Sequence, residues 1–171
     1  MEEIIKRVSI REYLDKEVEK EKVEKLLLAG QVAPSARNQR PWEFIVCDDK
    51  ELLNEVSSRC KNHYMAKDAP LAIIVLGNKN KEKSPMYTYQ DLSAATENIL
   101  LEATHLGLGS VWLGVAPNEE RMTNLKEIFN LTDDYFAFSI IVIGYPKNEV
   151  IKERKYDDSL VHHNILNKKY E

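Results

Sequence analysis

Only two cysteines, Cys47 and Cys60, occur in the 171 residues. They form no Cys-x-x-Cys redox pair and have no zinc-ligand spacing, so they read as buried thiols. Long apolar runs are also missing. No window approaches the length of a membrane span, and Met1 to Glu17 is charged throughout, without the apolar core of a signal peptide. The expectation is a cytoplasmic protein that engages no membrane. Blocks of a single charge are absent as well. The 24 basic and 28 acidic residues are interspersed and leave a formal charge of −4, which provides no footprint for nucleic acid. There is no internal repeat and no low-complexity segment to suggest an array or a linker. With 43% hydrophobic residues, the chain can bury one sizeable core, so residues 1–171 are expected to form one domain, with a polar C-terminal extension from about residue 150.

What is present is an alternation of helical and strand patterns. Val23, Leu26, Leu27 and Gly30 repeat at helical spacing and the pattern stops before Pro34. Trp42 to Cys47 is rich in strand formers, with Trp42 a core candidate. Leu52, Leu53 and Val56 then return to helical spacing. Leu71 to Leu76 is continuously apolar, as in a strand covered on both faces, and Gly77-Asn78 reads as its stop. Lys79 to Pro85 is polar and turn-rich. From Asp91 to Leu106 the apolar and small residues trace a long amphipathic helix built for close packing. Ser110 to Val115 reads as a strand, Asn118 as the cap of a helix through Phe129, and Phe136 to Ile143 as a further strand. The pattern argues a layered sandwich of α/β or α+β type.

Three segments carry candidate chemistry. In Arg7-Val8-Ser9-Ile10-Arg11, extended backbone would put Arg7, Ser9 and Arg11 on one side, a set suited to a phosphate or to the polar edge of a heterocycle. By itself the same segment also describes a solvated charged strand. Pro34 to Trp42 packs hydroxyl, amide and guanidinium donors between two prolines, which makes a stiff donor-rich loop or an ordinary helix-to-strand connection. Gly107 to Gly114 invites comparison with a dinucleotide fingerprint and fails it. These glycines follow a helix and open a strand, the reverse of a Rossmann turn. Gly107 and Gly109 read as a helix stop, whereas Gly114 inside a strand would let a flat ligand approach backbone N–H groups. Arg154 and Lys155 form a basic pair that could supply a second phosphate contact. His162 and His163 read as a surface pair and not as a metal site.

Taken together and in order, these segments resemble the FMN-dependent nitroreductase family over nearly the whole chain. Arg7 to Arg11 resembles its Arg-x-Ser-x-Arg signature, and Pro34 to Trp42 its Pro-Ser-x-x-Asn-x-x-Pro-Trp loop. Asp91 to Gly107 is similar to its dimer helix, Gly107 to Gly114 to its Gly-Leu-Gly-Ser-x-Trp strand, and Ile143 to Pro146 to its closing strand and turn. The resemblance implies an α+β fold, a three-layer α-β-α sandwich around a mostly antiparallel mixed sheet, in an intertwined homodimer. It implies non-covalent FMN, with NADH or NADPH as co-substrate. Arg7, Val8, Ser9 and Arg11 would hold the phosphate and pyrimidine edge, with Arg154 and Lys155 closing the phosphate site. Pro34, Ser35, Ala36 and Asn38 would reach the flavin of the partner subunit. Asn62 would contact the ring edge, and the backbone at Trp112, Leu113 and Gly114 would line the ring near N5.

By the same resemblance, hydride passes through the flavin in ping-pong fashion to a small electron-poor acceptor such as a nitroaromatic, a quinone or a free flavin. No protein nucleophile or acid is needed, so no catalytic residue and no metal is assigned. Val8 and Arg40 depart from residues common in the family, and the short chain predicts a reduced lid, with Tyr64, Met65, Tyr87 and Tyr89 as candidates for the substrate wall. A reductive dehalogenase or a non-catalytic flavin-binding dimer of the same fold is the alternative.

Overall fold

In a computed structural model, residues 2–170 are described. Four strands form one sheet in the order β1-β2-β4-β3: β1 is Trp42–Cys47, β2 Leu71–Asn78, β3 Gly109–Gly114 and β4 Tyr135–Gly144. All three pairings are antiparallel. The mixed character expected from the resemblance is confined to one parallel bridge, between Ser9 and Ser110, outside the named strands. Short-range sequence signals cannot reveal such a bridge, because its partners lie far apart in the chain.

Among the described residues there are five α-helices, α1 (Glu2–Lys6), α2 (Lys20–Gln31), α3 (Lys50–Arg59), α4 (Thr88–His105) and α5 (Glu119–Ile128), of which α1 packs against α4 and the other four flank the sheet. Helices α2 and α4 pack their apolar stripes, including Leu26, Leu92, Ala95 and Ile99, on one face of the sheet. Helices α3 and α5, with the 3₁₀ turn Tyr64–Asp68, cover the other through Leu53, Val56, Met65 and Leu125. Three layers result, and β2 between them is buried at every position, which explains why its sequence is apolar without alternation. Cys47 and Cys60 are free thiols inside the second core, and burial pushes both thiols up from their ordinary range.

Two boundaries differ from the sequence pattern. Strand β2 runs through Gly77 and Asn78, which the composition alone marks as a stop. Gly77 lies under the Phe136 ring, where an added Cβ would come within 2.2 Å of Cζ, and the missing side chain lets β2 continue beneath it. Helix α4 starts at Thr88, a turn before Asp91, so Asp91 sits inside its first turn and is buried. Asn118 caps α5 as the sequence suggests, accepting from Arg121 N at 2.9 Å. Gly107, at φ 72°, ends the descent from α4. Beyond residue 150 nearly every residue is exposed, including the large apolar side chains of Ile151, Leu160 and Ile165. Among the described residues no helix is long and apolar enough to cross a membrane.

Candidate functional site

The N-terminal segment after α1 is extended and lies along the free edge of β3. Ile10 N donates to Ser110 O at 2.9 Å, and Tyr13 anchors the segment's end by donating its hydroxyl to Ile10 O at 2.6 Å and Val142 O at 3.2 Å. Burial pushes the Tyr13 phenol well up, so it stays a donor. Val8 and Ile10 turn inward against the α3/α5 core. Alternation therefore turns Arg7, Ser9 and Arg11 the other way, as the sequence pattern implies. The Val8 side chain is spent on packing, which leaves only its backbone available to a ligand. Arg7 Nε is 3.4 Å from Glu97 Oε1, whereas Arg11 pairs with no carboxylate among the described residues. From the far end of the chain, Arg154 Nη2 donates to Arg7 O at 2.7 Å, so a third guanidinium joins the segment. Lys155 instead pairs with Glu153 at 3.2 Å.

Strand β3 is an edge strand, and its outer edge determines what the segment faces. Because Ser110 turns its backbone groups toward residues 8–10, strand alternation turns those of Trp112 and Gly114 outward too. The Gly114 carbonyl accepts from Arg121 Nη1 at 2.8 Å. The Trp112 and Gly114 N–H groups meet no acceptor among the described residues. A Cβ built on Gly114 would meet nothing within 4 Å, so the face of the strand is open at this position. The Trp112 ring packs on Phe138 with centroids 5.9 Å apart, and Leu113 is buried in the opposite core. Side chains thus hold the strand in place while backbone is presented.

The loop after α2 is built differently. Buried Asp91 accepts from Ala36 N at 2.9 Å and from Gln39 Nε2 at 2.6 Å, and Gln39 Oε1 accepts from Lys83 N and Ser84 N, each at 2.8 Å. Ser35 Oγ takes the Arg40 N–H, and Asn38 Oδ1 takes Arg40 Nε at 2.8 Å. These bonds hold Arg37, Asn38 and Arg40 at φ 51°, 51° and 46°. Asp91 and Gln39 anchor the loop, a role that local sequence does not signal because the partners are remote in the chain. Among the described residues, no hydrogen bond or ion pair joins Pro34 to Asn38 with Arg7 to Arg11, with the β3 edge or with Arg154 in the same chain.

Asn62 is exposed in a left-handed turn at φ 71°. Arg121 links this turn to β3, since its Nη2 donates to Lys61 O at 3.3 Å. Beside it His63 is 2% exposed and its Nδ1 has no partner. Desolvation first, and then the Arg121 charge, lower the His63 pKa to about 4 against the opposing pull of the Gly114 backbone, so the ring is neutral. Neither Arg121 nor His63 stands out in the sequence. Of the candidate wall residues, Met65 is buried in the core and cannot line a cavity, while Tyr89 packs on Phe136 and Phe138 at 5.7 and 5.6 Å.

A family model described as "Putative TM nitroreductase" matches residues 1–169. The chain belongs to this nitroreductase family. A relative from Archaeoglobus fulgidus, called "Putative NADH dehydrogenase/NAD(P)H nitroreductase", is 46% identical over 154 residues, which cover 87% of this chain and 88% of the relative. The crystal structure of a "Putative NADH Oxidase" from Clostridium acetobutylicum superposes with a TM-score of 0.92 at 48% identity, covering 95% of this chain and 99% of that one. An FMN-dependent nitroreductase from Clostridium difficile R20291 superposes with a TM-score of 0.88 at 38% identity, covering 97% and 100%. The nitroreductase match includes the N-terminal segment, the Pro34 to Trp42 loop, β3 and the basic pair in the tail.

Proposed function

We propose that this nitroreductase-family protein is an FMN-dependent NAD(P)H oxidoreductase that reduces small electron-poor organic acceptors such as nitroaromatics, quinones or flavins. The observation that carries the reading is the open slot beside Gly114, next to two outward N–H donors and flanked by a segment that bears Arg7 and Arg11 and to which Arg154 is bonded. A planar ring with a polar edge and a phosphate on a flexible arm fits this set. The slot admits the ring face, the N–H groups meet its acceptors, and the guanidiniums offer bidentate donors to the phosphate. Similarity to an FMN-dependent nitroreductase supports the same assignment.

When bound, FMN would supply hydride acceptance and donation at N5 between NADH or NADPH and the acceptor, in ping-pong order. Arg7, Arg11 and Arg154 hold the phosphate, with Ser9 filling between them and the Val8 backbone alongside. Lys155, exposed and paired with Glu153, adds only positive field. Backbone at Trp112, Leu113 and Gly114 sets the ring plane, and Asn62 reaches its edge. Pro34, Ser35, Ala36 and Asn38 act on the flavin of the partner subunit in a homodimer, which accounts for their separation from the cradle within one chain. The exposed Ile151, Leu160, Ile165 and Leu166 support the dimer, since a chain left alone would carry this apolar surface in water. No side chain serves as acid, base or nucleophile.

The deciding experiment loads the purified protein with FMN and adds NADH, or NADPH, without oxygen. Bleaching of the flavin absorbance by either nucleotide is the expected result. Persistent yellow colour with both would reduce the protein to a binding module, and release of FAD on denaturation would overturn the cofactor. Initial rates at varied nucleotide and acceptor should give parallel double-reciprocal lines.

A further inference from the structure

Glycine at position 114 opens the slot, yet glycine is also the residue whose backbone is least constrained, so an edge meant to present N–H groups at fixed positions needs an outside restraint. Helix α5 supplies one. Its first turn begins with Glu119 and Glu120, which suit the positive end of the helix dipole, and continues with Arg121, which does not. Arg121 pairs with no carboxylate among the described residues. Its guanidinium leaves the helix and spans two carbonyls, Gly114 O at 2.8 Å and Lys61 O at 3.3 Å. These belong to the outer edge of β3 and to the turn that carries Asn62, two segments otherwise separated by a whole strand and helix of chain. A planar fork satisfies both at once, with Nη1 on one carbonyl and Nη2 on the other.

We propose that Arg121 is a positioning residue, which locks the Gly114 backbone to the Asn62 turn so that both meet the flavin as one rigid lip. The inference rests on the reading that FMN lies along the β3 edge. It adds a residue that touches neither phosphate nor ring and acts through the backbone it holds. Buried His63 backs the same turn and leaves the guanidinium as the link that can be removed from the surface.

The test uses the full chain with Arg121→Met, Arg121→Lys and, as a control, Arg59→Met. Arg59 bridges α3 to α5 through Glu127 and Asn124 and bonds to neither Gly114 O nor Lys61 O, so its replacement removes a guanidinium and leaves both lip bonds in place. Amide hydrogen exchange in the FMN-free proteins and FMN titration are both read. Arg121→Met should exchange about tenfold faster at residues 61–63 and 112–116 and bind FMN about tenfold more weakly, with normal circular dichroism. Arg121→Lys should fall between, since an ammonium offers one nitrogen where the guanidinium sets two apart in a rigid plane, and it carries the comparison if Arg121→Met does not fold. Arg59→Met should match the unmodified protein in both readouts. Unchanged exchange and affinity in the folded Arg121 variants would overturn the proposal. Should the unmodified protein itself bind no FMN, the flavin reading fails, and exchange alone still decides whether Arg121 fixes the edge.

Discussion

Two polar regions of this chain treat their hydrogen-bonding groups in opposite ways. In the Pro34 to Arg40 loop the bonds fix the backbone from within: Asp91 accepts from Ala36 N and Gln39 Nε2, Gln39 Oε1 accepts from Lys83 N and Ser84 N, and Ser35 and Asn38 accept from Arg40 N and Nε, while the Arg37 side chain stays exposed. Along β3 and the N-terminal segment groups are left over, since among the described residues the Trp112 and Gly114 N–H groups meet no acceptor and Arg11 pairs with no carboxylate. A satisfied network fixes shape, and an unsatisfied edge offers binding energy to whatever arrives. On the proposed function the first region is a stiff presenting surface, and the second a cradle.

The strongest way to break this contrast is to remove Asp91. Asp91→Ala strips the acceptor from two donors, one on buried Gln39, and should cost about 3 kcal/mol or more in urea unfolding. Arg11→Ala, on the cradle side, should change stability by less than about 0.5 kcal/mol while weakening FMN binding about ten- to a hundredfold. Equal stability losses in the two variants would erase the distinction.

The next contrast uses protons. His63 titrates at about 4 when folded and near 6.5 in its ordinary state. Between those values the unfolded chain binds a proton that the folded chain refuses, so stability from this residue is complete above pH 6.5 and is lost as pH falls toward 4. The loss should be about 2 kcal/mol between about pH 7 and pH 5. His63→Phe should flatten that part of the profile, and an unflattened profile would mean the ring is already charged in the fold.

A smaller effect separates two glycines of the same sheet. Gly77→Ala drives a Cβ into the Phe136 ring at 2.2 Å and should cost about 1–3 kcal/mol, whereas Gly114→Ala enters open space and should cost less than about 0.5 kcal/mol. Thermal melts report the difference. Only the second should lower FMN affinity.

What was legible in the sequence follows the range of the interactions. Periodicity located all four strands and the helices α2 to α5, because a buried face imposes a local pattern. The alternation that turns Arg7, Ser9 and Arg11 together is equally local. What was hidden depends on partners far along the chain. Gly77 reads as a stop until Phe136 is seen above it, and Asp91 reads as a helix start until the loop at Ala36 and Gln39 is seen bonded to it. Arg121 and His63 have no local signature at all, since their meaning lies in the Gly114 and Lys61 backbone. The tail pair could not be resolved either, and only the fold shows Arg154 bonded to Arg7 and Lys155 turned to Glu153.

We propose that the presenting loop and the cradle are two halves of one flavin site contributed by two chains. Arg11→Glu disables the cradle and Asn38→Trp the loop, so each folded homodimer should bind almost no FMN. Subunits exchanged by mild denaturation and refolding give mixed dimers with one doubly damaged site and one intact site. An equal mixture should then recover about a quarter of the unmodified protein's bound FMN per chain, because random pairing makes about half the dimers mixed and half of their sites whole. No recovery in mixed dimers verified by mass spectrometry would show that each site is built within a single chain.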